Sequence, residues 1–154
     1  MKKISVLFIA LVLSLCLFGC TKGEGFKEFD KEKLLNDLLE KVEYEVEVTE
    51  VNDFTLQMQY GDLPEGVEAT VFMGSTAAAD RVCLFEAGED LSAETLKAYV
   101  ESTVKNLSDT YSEYDPEEVD KLGDAIIRTN GSYTLLVVTN DTENAEKVID
   151  GYWK

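Results

Sequence analysis

The chain has 154 residues, of which 45% are hydrophobic, and its 31 acidic and 14 basic side chains give a net charge of −17. Because binding to nucleic acid phosphates needs a basic patch, this charge balance argues against a nucleic acid partner. The chain contains no histidine, which excludes the Ser-His and Cys-His catalytic arrangements and the commonest zinc ligand.

The first twenty residues have the pattern of a secretory signal. Two lysines precede an apolar run over residues 4–18, which ends at Gly19 and Cys20 before the chain turns polar. A basic start, an apolar middle and a small residue at the end are the parts of a signal peptide. The alternative is an uncleaved transmembrane helix, because residues 4–20 just reach the roughly 17 residues needed to span a hydrocarbon core.

The segment Leu17-Phe18-Gly19-Cys20 resembles the bacterial lipobox. This resemblance implies that the thiol of Cys20 is joined to diacylglycerol and that cleavage makes Cys20 the new N-terminus. Two acyl chains hold a protein at a membrane where one is marginal, since each buried CH₂ contributes about 0.8 kcal/mol. We therefore expect a signal peptide over residues 1–19, a lipidated tether over 20–29, and one domain over 30–154 on the extracytoplasmic face of the cell membrane.

Loss of the leader, with its two lysines, changes the net charge from −17 to −19. Anionic headgroups repel so negative a domain, so we expect it to stand off the bilayer. The acidity has two interpretations: capture of a cationic ligand or divalent ion, or simply a solvated surface. The acids are spread along the whole chain, which favours the solvated surface.

Of the three cysteines, only Cys83 lies in the expected domain and keeps a free thiol. The surrounding residues, 81–85, form a mostly apolar run. A thiol in such a run is more often a small core residue than a nucleophile, so we predict that Cys83 is buried.

The first half of the domain is predicted to contain one helix and three strands. The helix begins at Asp30, whose carboxylate can cap the free amides of the first turn. Its apolar stripe consists of Leu34, Leu35, Leu38, Leu39 and Val42. The strands are predicted at residues 44–51, 67–73 and 81–87, whereas residues 52–60 fit either a strand or a helix.

The second half is predicted to contain two helices and then a hairpin. A long helix begins at Ser92 and continues to about Tyr111. A second begins at Asp115-Pro116, with Asp115 as the capping acid and Glu118 placed to complete a capping box, and Gly123 ends it.

Asn130-Gly131 predicts a two-residue type I′ hairpin turn, because both residues tolerate positive φ. This register pairs Ile126 with Leu135 and Arg128 with Tyr133. A last helix from Asn140 or Asp141 closes the chain.

This order of elements predicts the α+β class: a single antiparallel sheet with helices packed on one face, in a ββαββα-like core after an N-terminal helix. Three segments, 77–85, 114–117 and 131–138, resemble the bacterial DUF4358 proteins of unknown function, often found as lipoproteins. The resemblance covers roughly Leu34 to Ile149. It implies a helix near residues 54–60 and attaches no activity. Arg81 stands where the family pattern leads us to expect a second acid after Asp80.

The sequence singles out no catalytic, cofactor-binding or metal-ligating residue, and we expect no enzyme activity and no cofactor. Ser75 and Thr76, in a small-residue loop, are predicted to form a tight connection rather than a nucleophile. One set of acids offers oxygen ligands that calcium prefers, but without EF-hand spacing. These acids are Asp109, Glu113, Asp115, Glu117, Glu118 and Asp120.

Two functions remain open at the level of sequence. The first is a lipid-anchored, non-catalytic domain, attached to the membrane through lipid on Cys20, with an envelope protein as a possible partner. Exposed aromatic residues could contribute to that contact, although packing is the commoner role for each. These residues are Tyr111, Tyr114, Tyr152 and Trp153. The second is a weak carboxylate-based hydrolase or a divalent-ion-binding lipoprotein.

Overall fold

The computed structural model describes residues 26–153, which form five helices and one five-stranded antiparallel sheet. The helices are α1 (Lys31–Lys41), α2 (Asp53–Tyr60), α3 (Ala93–Tyr111), α4 (Pro116–Gly123) and α5 (Thr142–Trp153). The strands are β1 (Thr49–Glu50), β2 (Glu68–Met73), β3 (Arg81–Glu86), β4 (Ile126–Asn130) and β5 (Tyr133–Val138). The strand order is β1-β2-β3-β5-β4, which confirms the predicted α+β class and its single antiparallel sheet.

Helices cover both faces of the sheet, so the prediction that they pack on one face was wrong. Val82 and Leu84 of β3 face α1 and α5, on what we call the front face. Cys83 and Phe85 face α2, α3 and α4, on the back face. The physical reason lies in β3 and β5, whose side chains are mostly apolar and are buried on both sides, as in a strand covered by two layers.

Three helix starts follow the side chains that cap them. Asp30 accepts a hydrogen bond from the Lys33 amide at 3.0 Å, as predicted, and Ser92 accepts one from the Thr95 amide at 3.2 Å. Residues 53–60 form α2, because Asn52 caps that helix by accepting from the Thr55 amide at 2.9 Å. The ambiguity over residues 52–60 is thus resolved as a helix, as the family resemblance implied.

The predicted strand over residues 44–51 is mostly absent: the strand β1 contains only Thr49 and Glu50, and the Val51 amide adds one hydrogen bond to the Val71 carbonyl of β2. The preceding backbone is held by side chains instead. Thr139 donates a hydrogen bond to the Glu43 carbonyl at 2.5 Å, and the Glu45 amide donates to Asp80 at 3.4 Å. Tertiary hydrogen bonds have therefore replaced a strand ladder that the alternating pattern favoured.

The β4–β5 hairpin turns at Gly131-Ser132, one residue later than predicted. Ile126 lies opposite Val137 and Arg128 lies opposite Leu135, so both predicted pairs were wrong by two residues. Each side chain keeps its face, because a shift of two preserves the strand period. Of the two turn residues, Gly131 alone has a positive φ, +60°, as a type II′ turn requires.

The side chain of Asn130 explains the later turn. Its Oδ1 accepts from the Lys27 amide at 2.7 Å and its Nδ2 donates to the Lys27 carbonyl at 2.6 Å. Asn130 is therefore a buried strand residue that holds the segment leading into α1. Phe26 lies against Gly131, so the chain enters the domain at the hairpin, which we call the tether end.

The predicted leader, the lipobox and Cys20 lie outside the described residues. Within residues 26–153, no helix combines the length and apolar character needed to cross a membrane. Residues 26–29, predicted as the last part of the tether, instead contact the domain: Phe29 packs edge-on against Tyr133 and Trp153, with ring centroids 5.0 and 5.3 Å apart.

Gly131→Ala is expected to destabilise the protein by about 1–2 kcal/mol, because an alanine at φ +60° is strained. Its Cβ would also lie 2.4 Å from the Phe26 ring. Gly151→Ala is the matched control, since a Cβ there meets no atom within 4 Å and the helix gains about 0.5–1 kcal/mol. Urea unfolding measures both variants, and equal effects of the same sign would contradict the assigned turn.

Candidate functional site

A buried lysine lies at the end of the sheet opposite the tether end. Lys121 of α4 is 4% exposed, and its Nζ lies 2.8 Å from Asp80 Oδ2 and 2.8 Å from Glu45 Oε2. Glu118, one turn earlier on the same helix, approaches Nζ at 3.2 Å. We call these four residues the Lys121 cluster.

Three separate parts of the chain supply the Lys121 cluster. Asp80 is fully buried just before β3, and Glu118 is held by the Ala79 amide, which donates to its Oε2 at 2.7 Å. Glu45 comes from the α1–β1 connection and accepts from Asn140 Nδ2 at 2.5 Å. The cluster therefore ties α4 to the β2–β3 and α1–β1 connections and to the segment before α5.

The predicted capping box at the start of α4 was wrong. Pro116 is the first helical residue, as predicted, but the Asp115 side chain makes no capping hydrogen bond. Glu118, which the box required to turn back to the helix start, instead points inward to Ala79 and Lys121. A buried ammonium that needs a partner thus determines where Glu118 points.

The carboxylates hold Lys121 in its charged form. Burial alone lowers the pKa of its ammonium, but the hydrogen bonds to Asp80, Glu45 and Glu118 outweigh burial and raise the pKa above its usual value. In return, the hydrogen bond from Lys121 lowers the pKa of Glu45 below its ordinary value of 4.5. Lys121 and Glu45 are therefore both charged at neutral pH.

Within residues 26–153, the carboxylates of Glu45, Asp80 and Glu118 lie within 4.8 Å of one another, close enough to hold one cation. The Lys121 ammonium already lies among them, so the chain supplies its own cation. Of the acids considered above for calcium, only Glu118 belongs to this group. In the described residues the other members of that set do not converge with it.

The second candidate site is a groove of about 490 Å³ on the front face. It lies between α1 and the outer strands β1 and β2, beyond the part of the sheet that α1 and α5 cover. Phe72, Leu84 and Leu35 give it an apolar floor. Four carboxylates line it: Glu32, Glu50, Glu68 and Glu86. We call this feature the acidic groove.

Only one of these four carboxylates is neutralised within the described part of the chain. Glu86 accepts from Lys31 at 2.8 Å and from the Tyr133 hydroxyl at 2.6 Å. Burial raises the pKa of Glu86, but these two hydrogen bonds outweigh it and lower the pKa. The remaining three carboxylates carry the groove's excess negative charge.

The model of a domain of unknown function, DUF4358, matches residues 40–139. The chain belongs to the DUF4358 family. No curated protein and no solved structure matches this chain. The matched segment of the DUF4358 domain contains all four residues of the Lys121 cluster, but Glu32 of the groove precedes it.

Arg81 of the DUF4358 domain is fully buried on the back face, beside Asp80 in sequence but outside the Lys121 cluster. Its Nε donates to the Ala79 carbonyl at 2.8 Å and one terminal nitrogen donates to the Tyr60 hydroxyl at 3.3 Å. The other terminal nitrogen has no partner among the described residues. The second acid expected at this position is thus replaced by a cation in the core.

The prediction that Cys83 is a core residue is confirmed. Its side chain is fully buried, and its sulfur lies 3.0 Å from the Tyr60 hydroxyl. Burial raises the pKa of the thiol to about 11, although Arg81 and the Tyr60 hydroxyl act in the opposite direction. The thiol is therefore protonated at neutral pH and lacks access to solvent.

The other residues considered from sequence have diverse positions. Ser75 and Thr76 are exposed in the β2–β3 connection, where Ser75 Oγ accepts from the Ala77 amide at 3.3 Å. Tyr111 is buried and donates to the Ala78 carbonyl at 2.8 Å, whereas Tyr114 is 57% exposed. Tyr152 and Trp153 are half-buried at the tether end.

Sequence reasoning missed the role of Lys121, although a signal was present. Positions 118, 121 and 122 share one face of α4, and a face that contains Leu122 points into the core. A glutamate and a lysine on such a face predict a buried pair. The contribution of Glu45 and Asp80 had no local signal, because both come from segments distant in sequence.

Lys121→Met is expected to lower the free energy of unfolding by about 3–5 kcal/mol, because it leaves Asp80 and Glu118 buried without a cation. Lys105→Met is the matched control, since its ion pair with Asp109 lies on the surface and contributes about 0.5 kcal/mol or less. Urea unfolding of both variants tests this, and a loss below about 1 kcal/mol for Lys121→Met would contradict it.

Acid is expected to remove the contribution of Glu45. Its pKa is lowered in the folded state, so its stabilisation is present above the ordinary value of 4.5 and is lost as pH falls through the lowered value. The difference in melting temperature between wild type and Glu45→Gln should therefore shrink below about pH 4.5.

Glu47→Gln serves as the control for that titration, because the exposed Glu47 side chain has no ion pair within the described residues. Its melting temperature should follow that of the wild type. A gap between wild type and Glu45→Gln that stays constant down to about pH 3 would contradict the linkage.

Proposed function

We propose that this protein is a lipoprotein anchored through Cys20 to the extracytoplasmic face of the cell membrane, and that its DUF4358 domain is a non-catalytic module that binds an envelope protein. One observation carries the proposal. Only five residues, 21–25, separate the lipobox-like segment at residues 17–20 from Phe26, where the chain docks on the tether end of the domain. So short a connection suits an anchor.

The position of Phe26 gives the anchored domain an orientation. The tether end, with the β4–β5 hairpin, faces the bilayer, and the Lys121 cluster faces away from it. The six residues of β3 separate the two ends by roughly 20 Å.

The pairing of the polar groups supports a non-catalytic role. The acids of the Lys121 cluster are neutralised by an internal ammonium, and Asp80 is inaccessible to a substrate. Cys83 is buried with a raised pKa. A general acid or nucleophile must reach its substrate, and neither group does so. The acidic groove is an accessible concave feature that is available for binding.

Mass spectrometry of the native protein tests the anchor. The mature N-terminal peptide is expected to begin at Cys20 and to carry diacylglycerol, and Cys20→Ala should abolish the lipid and release the protein from the membrane fraction. Cys83→Ala is the matched control, because it removes a thiol within the domain and should leave anchoring unchanged. A native peptide that retains Met1, or an unmodified Cys20, would refute the anchor.

The alternative of an ion-binding lipoprotein has a specific site to test, the three carboxylates of the Lys121 cluster. Calcium would have to displace the Lys121 ammonium, so we expect calcium to leave the melting temperature unchanged. A ligand that binds only the folded state raises the melting temperature. A calcium-dependent rise that Asp80→Asn abolishes would favour the alternative over a binding module for proteins.

A further inference from the structure

We infer that the acidic groove binds an extended basic peptide segment that runs along β2 and carries two cationic side chains four residues apart, with an apolar side chain between them. This inference deepens the proposed binding role and rests on it. It comes from the exposed front face of β2, from the spacing of the unpaired carboxylates, and from the apolar floor between them.

The front face of β2 is uncovered, whereas its back face is packed. Val71 and Met73 point to the back face and are 2% exposed. Glu68, Thr70 and Phe72 point to the front face and remain partly or fully exposed. Phe72 thus remains half-buried in the groove, although the back face of the same strand is fully packed. A partner that covers Phe72 would bury the rest of its apolar surface.

The carboxylates around this surface are not arranged for stability. Glu68 lies directly opposite Glu86 in the β2–β3 register, and like charges in that position destabilise a sheet. Lys31 and Tyr133 satisfy Glu86, but Glu68 has no ion pair among residues 26–153. Local conflicts of this kind are expected where a site serves binding rather than folding.

The spacing of two acids matches an extended chain. Glu50 lies opposite Phe72 in the β1–β2 register, four residues along β2 from Glu68. Four residues of a strand span roughly 13 Å, and side chains four apart in an extended peptide point to the same side. A peptide with lysines at its first and fifth positions can therefore reach both carboxylates at once.

The apolar floor between Glu50 and Glu68 determines which side chain the peptide needs at its middle position. Between the two acids, Thr70 of β2 lies opposite Leu84 of β3, and Phe72 lies beside them. The third side chain of the peptide points to the same side as the two lysines. It lies over Thr70 and Leu84, where an apolar group is favoured.

The full chain, purified from whole cells lysed in a nonionic detergent, is titrated with the peptide acetyl-Lys-Thr-Leu-Thr-Lys-amide carrying an uncharged dye, and binding is followed by fluorescence anisotropy. We expect binding that weakens as sodium chloride is raised, because the contacts are exposed ion pairs. The rearranged peptide acetyl-Lys-Lys-Leu-Thr-Thr-amide has the same charge and should bind more weakly, because its lysines cannot reach both acids.

The double variant Glu50→Gln/Glu68→Gln should weaken binding by about 2- to 30-fold, the range given by two exposed ion pairs. The matched control is Glu113→Gln/Glu117→Gln, which removes two exposed acids outside the groove and should leave affinity unchanged. Loss of the Glu68–Glu86 repulsion should leave the melting temperature of the groove variant equal or higher, so weaker binding cannot be ascribed to unfolding.

Four outcomes would overturn the inference: no binding, equal weakening by both double variants, equal affinity for both peptides, or displacement of the peptide by spermidine at equal concentration. The last would assign the groove to a small polyamine. None of these outcomes depends on the lipid at Cys20, which mass spectrometry measures separately. Failure of the anchor proposal and failure of the groove inference are therefore distinguishable.

Discussion

The attraction between the Lys121 ammonium and the buried carboxylates of Asp80 and Glu118 is the constraint on which much of this structure depends. Without that cation both carboxylates would be buried with no ion-pair partner, which costs several kcal/mol. The requirement joins α4, on the back face, to the connection that leads into β3. It also explains why the Glu118 side chain points inward to Lys121 and does not complete the capping box at the start of α4 that its sequence position predicts.

The domain separates its charges into two kinds. Those at the end away from the tether are enclosed and mutually neutralised, with Lys121 in the position that an external cation would occupy. Those in the acidic groove are accessible, and Lys31 pairs with only one of the four carboxylates, Glu86, among the described residues. The enclosed group stabilises the fold, and the accessible group is available to a partner. Under the proposed anchor, both lie on a domain held close to the membrane by its hairpin end.

The sequence predicted the local elements well and the tertiary arrangement less well. Caps at Asp30 and Ser92 and the burial of Cys83 are local properties, and the structure confirms them. The predicted hairpin register was wrong because the Asn130 side chain binds the Lys27 backbone, so Asn130 belongs to β4 and not to the turn. A turn signal reports which backbone angles a residue tolerates, but it does not report what else its side chain can bind.

What the sequence alone determined is the α+β class, the helix starts, the apolar stripes and the pattern of the leader, because each depends on neighbours within a few positions. Only the tertiary structure decided that helices cover both faces, that Glu45, Asp80 and Glu118 converge on Lys121, and that β2 keeps one face open. Among these features, the Lys121 pairs with Asp80 and Glu45 join segments 41 and 76 residues apart. Their physical cause is the free energy of burying charge and apolar surface, which depends on how the whole chain packs.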